Sequence, residues 1–89
     1  MPYIRKENRE FFEESIQELS AQVGNEGDLN YIFTKLIHDR IEAEGKSYQV
    51  INNLIGALEC CKLELYRVIA APYEDIKKLE NGNVSELDK

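Results

Sequence analysis

SYQVINNLIGALECCKLELYRVIAAPYED, residues Ser47 to Asp75, is the stretch on which the fold turns. It reads as one long helix that turns a corner at Pro72. Ser47 follows Gly45 and Lys46 and suits the N-cap, its hydroxyl accepting from a backbone N–H that lacks a partner in the first turn. Ile51, Leu54, Leu58, Cys61, Leu65 and Val68 recur at steps of three and four, which places them on one stripe, read here as core. The adjacent stripe carries Asn52, Gly56, Glu59, Leu63, Tyr66, Ala70 and Tyr73, a mixture of small, polar and aromatic residues. A solvated face is ordinarily richer in Lys and Glu. Gly56 beside Ala57 lets another backbone approach closely, at a cost of about 1 kcal/mol in helix propensity. Lys62 and Arg67 lie next to this stripe, spaced to meet Glu59 and Glu64 at i,i+3. The functional reading is a polar pocket or a subunit interface, and the plainer one is a row of surface ion pairs.

Length and composition narrow the classes. With 89 residues the chain reads as one domain with a modest core, supplemented by self-association. At 43% hydrophobic and 31% charged it is a globular composition rather than a disordered one. A net charge of -6 argues against a broad electrostatic grip on nucleic acid, although a local basic pocket for a small anion is compatible with it. No apolar run approaches the roughly 20 residues of a membrane span, and MPYIRK is not followed by the apolar core of a signal peptide. The expected location is the cytoplasm, with no membrane partner. Cys60 and Cys61 are helical neighbours, where a disulfide would be strained, so they read as reduced thiols. Cys61 is assigned to the core, and without a second CxxC or a histidine cluster the pair makes a poor zinc site.

Working outward, Asn8 suits the N-cap of a first helix with Phe12, Ile16, Leu19 and Val23 on one stripe, ended by Gly24 in a left-handed cap. Its outer face carries Glu10, Glu13, Glu14 and Glu18. The ExxE of Glu10 and Glu13 resembles half of the metal site in all-helical nucleotide pyrophosphatases. The required second acidic pair is missing, because Glu42 and Glu44 do not share a face, and no metal is expected. Asp28 is read as the cap of a second helix containing Leu29, Ile32, Phe33, Leu36, Ile37 and Ile41, with Asn30 and Tyr31 in its first turn, where N–H groups favour an anion. Gly45 ends that helix. His38, near Lys35 and Asp39, reads as a surface histidine. After the long helix, Pro72 breaks the pattern and begins a short fourth helix through Glu80, with Ile76 and Leu79 docking inward and Asn81 and Gly82 ending it.

The expected architecture is all-α. It is an antiparallel three-helix bundle with a long third helix and a short fourth, residues 1–82 forming the domain and 83–89 a mobile tail. Some 24 residues of the third helix span roughly 36 Å at about 1.5 Å per residue. The first two helices are shorter, so part of the third would stay uncovered in a monomer, and a dimer or larger homo-oligomer is expected.

GDLNY at 27–31 and SYQVINNLIGALECCKLELYRVIAAPYEDIKKLENG at 47–82 resemble a family of small uncharacterised proteins of phages, prophages and bacterial genomes, the similarity starting at MPYI. ECCKLELYR and APYED are its specific blocks. The resemblance brings no enzymatic activity and implies a compact helical fold in a phage setting. In such a setting small proteins without catalytic motifs often act by binding. One such act is sequestration of a host-defence signalling nucleotide between subunits, an analogy rather than homology. On that reading Lys62 and Arg67 take phosphates, Tyr66 and Tyr73 stack on a base, and Asn52 and Glu59 meet polar edges, with Asn30 and Arg40 secondary. The alternative is an acidic interaction module that binds and inhibits a host protein. An enzyme, with Glu59 or Glu64 as base, ranks last because convergent partners are not evident. No catalytic residue or cofactor is assigned.

Overall fold

The computed structural model describes residues 2–89, and among them every regular element is a helix. These are α1 (Lys6–Gln22), α2 (Glu26–Glu44), α3 (Tyr48–Leu65), a π-helical turn (Tyr66–Ala70), α4 (Ala71–Asn81) and a 3-10 turn (Glu86–Asp88). The chain divides into two compact units, Met1–Gly56 and Ala57–Lys89.

In the first unit, α1 begins earlier than the expected Asn8 cap. The backbone N–H groups of Asn8 and Arg9 both donate to the Arg5 carbonyl, so Arg5 holds the cap position, without a side-chain bond. Arg9 Nε also donates to the Ile4 carbonyl at 2.8 Å, which ties the entry segment to the first turn. The exit of α1 differs too. Val23 is the extended C-cap, and among the described glycines only Gly45 and Gly82 have positive φ, so the left-handed cap expected at Gly24 is replaced.

The turn between α1 and α2 is held by polar side chains. Asn25 Oδ1 accepts from Asp28 N–H at 2.9 Å and is the N-cap of α2, the role expected of Asp28. The Asp28 carboxylate instead accepts from Gly24 N–H at 2.8 Å. Two donors that a helix start leaves unpaired are thereby satisfied. As α2 begins at Glu26, Asn30 and Tyr31 lie beyond its first three residues, which weakens the anion reading of that end. Gly45 closes α2 as expected, at φ 92° with its N–H on the Ile41 carbonyl at 2.8 Å, a conformation that favours a residue without Cβ. Ser47 Oγ then accepts from Val50 N–H at 3.2 Å, the expected cap of α3.

In the second unit the helical path does not break at Pro72. A proline inside an α-helix removes a donor and presses its ring on the carbonyl four residues back, here that of Val68. The π-turn widens the path at that place, with Ala71 N–H reaching the Tyr66 carbonyl five residues back. Pro72 therefore sits in the first turn of α4, where its missing N–H costs least. Gly82, at φ 89°, ends α4 with its N–H on Lys78 O at 2.8 Å. The tail forms a turn in which Ser85 and Asp88 make a reciprocal capping box.

Burial is where the reading of the sequence needs most correction. Among the described residues none is buried in the chain by itself. Ile51 and Leu54 on α3 are half-buried, but Leu58, Leu65 and Val68, assigned to the same core stripe, are exposed. Cys61 is exposed as well, while its neighbour Cys60 is half-buried, so the core place given to Cys61 does not hold. Ile76 and Leu79 on α4 stand open, the latter at 88%. Helical spacing places these residues on one stripe but does not supply the surface that covers it.

Candidate functional site

The residues proposed for a ligand divide between the units. Glu59, Lys62, Tyr66, Arg67 and Tyr73 belong to the second unit, and Asn30, Arg40 and Asn52 to the first. All are exposed.

In the second unit each cation is engaged by a carboxylate of its own helical path. Lys62 Nζ lies 2.9 Å from Glu59 Oε1, and Arg67 Nη2 donates to Glu64 Oε1 at 3.0 Å. These are the i,i+3 pairs that the spacing predicts, and exposed pairs of this kind contribute under about 1 kcal/mol each. The Tyr66 hydroxyl is 3.5 Å from Glu74 Oε2, a long contact that spans the π-turn. Lys77 Nζ stands 5.6 Å from the centre of the Tyr73 ring and also pairs with Glu80 at 3.1 Å. The aromatic and cationic groups are thus present around the π-turn, with carboxylates occupying the positions a phosphate would take.

In the first unit Arg40 pairs with Glu44 at 3.0 Å, and Asn30 Oδ1 accepts from Thr34 Oγ1 at 3.2 Å. Asn52 lies exposed on α3. His38 is exposed beside the Lys35–Asp39 pair, as expected. Among the described residues no group of three His, Cys, Asp or Glu side chains is placed to hold a metal ion. No helix there is long and apolar enough to cross a membrane.

Sequence reasoning missed the apolar groove at the junction of α1 and α2. A cavity of about 340 Å³ opens between Ile16, Leu19 and Val23 of α1 and Ile32, Phe33 and Leu36 of α2, with Ser20 a lone hydroxyl in its wall. A second cavity of about 380 Å³ shares Leu19, Val23 and Ile32 and extends to Gln22, Asp28 and Tyr31. The signal was present, since these residues form the two stripes assigned to the bundle core. They line an open groove because no third layer covers them in this unit.

Comparison with curated proteins and with solved structures finds no match in either. A family model described as a domain of unknown function (DUF6899) matches residues 1–84. That match takes in all four α-helices and the π-turn, and the chain belongs to this family.

Proposed function

We propose that this chain is a non-enzymatic helical binding module that self-associates, completes an antiparallel bundle across copies, and binds and inhibits a protein partner. The observation that carries the reading is the exposure of large apolar side chains in both units, from Phe11 at 80% and Leu36 at 60% to Ile69 at 62% and Leu79 at 88%, with no described residue buried. Apolar surface on that scale marks a surface that another polypeptide covers. The acidic face of α1, with Glu10, Glu13, Glu14 and Glu18, selects for a partner with basic groups. The setting of the proposal is a phage-encoded protein in the host cytoplasm.

Sequestration of a nucleotide-type ligand is the second reading. It is supported by the π-turn, since such turns recur at functional sites and this one carries Tyr66 and Arg67 with Lys62 and Tyr73 nearby in the chain. One experiment separates the two. Native mass spectrometry of the protein from cells, followed by a panel of signalling nucleotides and pull-down from host lysate, is expected to show a bare oligomer and a stoichiometric protein partner. Replacing the four α1 glutamates with Gln is expected to release that partner, while Lys62→Ala with Arg67→Ala leaves it bound. A discrete small-molecule mass, lost in the Lys62/Arg67 variant, overturns the protein reading in favour of the nucleotide one.

A further inference from the structure

We infer that the α1–α2 groove is the seat of a second copy of this chain, in a two-fold dimer that sets the groove of one copy against the groove of the other. The inference rests on the self-association in the proposed function and names the face that performs it.

Area is the first argument. A globular monomer of 10.3 kDa exposes roughly 5,400 Å². This chain exposes 8151 Å². The excess of roughly 2,700 Å² is several times the roughly 800 Å² per partner of an ordinary stable interface. The missing contact is therefore of the obligate size.

Availability is the second. A chain with no buried residue lacks a core of its own, so whatever covers it must be present whenever the chain is folded. A second copy is present in equal amount by construction, whereas a foreign partner is not. Chemistry agrees: a groove walled by Ile16, Leu19, Val23, Ile32, Phe33 and Leu36 matches another apolar face and offers a charged ligand nothing but the Ser20 hydroxyl. A two-fold axis lets one self-complementary face satisfy both copies at once.

The test is sedimentation velocity of the full-length protein across a dilution series, with Leu36→Lys in the groove and Leu79→Lys outside it. The expected result is a dimer, or an even-numbered assembly built from it, whose dissociation constant rises by about tenfold or more with Leu36→Lys. Leu79→Lys is expected to change it by less than about threefold. Hydrogen exchange on the unmodified protein supplies a second readout should Leu36→Lys lose helicity. Amides of residues 16–36 are expected to gain protection as concentration rises. A dimer indifferent to Leu36→Lys, or exchange over 16–36 that does not respond to concentration, overturns the groove assignment and leaves self-association standing. A monomer at all concentrations overturns both.

Discussion

At Gly56 a built Cβ meets nothing within 4 Å, so the close backbone approach that the sequence suggests there is not made within this chain. Gly56→Ala is consequently expected to stabilise α3 by about 1 kcal/mol. For a domain of this size that raises Tm by roughly 4–8 °C in a thermal melt, and a fall in Tm would mean that another backbone lies against this position. The two thiols give a second contrast one residue apart. Cys61 faces solvent and Cys60 is half-shielded, so alkylation under native conditions followed by peptide mass spectrometry is expected to label Cys61 first. The third residue of interest is Asp88. The N–H groups of Ser85 and Val84 donate to its carboxylate at 3.0 and 2.9 Å and hold its pKa below the ordinary value. A folded pKa lower than the unfolded one means that the stabilisation is fully present above the unfolded value and disappears as pH falls through the folded one. The Ser85–Asp88 turn is thus expected to open on acidification, read as loss of the downfield amide shifts of Val84 and Ser85. Asp88→Asn should abolish that pH response.

Among elements, the informative case is the passage from α3 to α4. Pro72 reads in sequence as a stop, because proline disfavours a helical residue before it and removes a donor. The structure instead spends one wide turn, Tyr66–Ala70, and keeps the helix going. Pro72→Ala restores the missing N–H and removes the ring, so the π-turn is expected to relax to α geometry. Slower amide exchange at residue 72 and its neighbours would register this, and exchange left as fast as in the parent would show that the turn has another cause. Helix ends were legible wherever one residue decides them: Gly45, Ser47 and Gly82 act as their sequence context says. They were not legible where two side chains compete, as at Asn25 and Asp28, since each is a good cap and only the bond to Gly24 N–H settles their roles. The ion pairs of Lys62 and Arg67 followed from spacing alone, whereas the groove between α1 and α2 did not. Periodicity names the apolar residues of each helix, but an open groove and a closed core share the same pattern.

At the scale of the whole molecule, charge and apolar exposure pull in opposite directions, and this gives the proposed assembly a signature. Each copy carries a net charge of -6, with Glu7, Glu10, Glu13, Glu14 and Glu18 concentrated on α1, which also lends Ile16, Leu19 and Val23 to the groove. Bringing two grooves together therefore brings two acidic helices close, and the repulsion subtracts from what apolar burial contributes. Salt shortens the range of that repulsion from about 30 Å at 0.01 M to about 3 Å at 1 M. It leaves the apolar contribution in place. Self-association is accordingly expected to tighten as sodium chloride is raised, with the dissociation constant from sedimentation falling several-fold between about 0.05 and 0.5 M. Binding to a basic protein partner has the opposite sign, because there the same carboxylates attract and salt weakens them. A salt titration of the purified protein, run beside one of its complex with a captured partner, thus reads the two interfaces separately. Self-association that weakened with salt would place opposite charges, rather than the apolar groove, at the centre of the contact between copies.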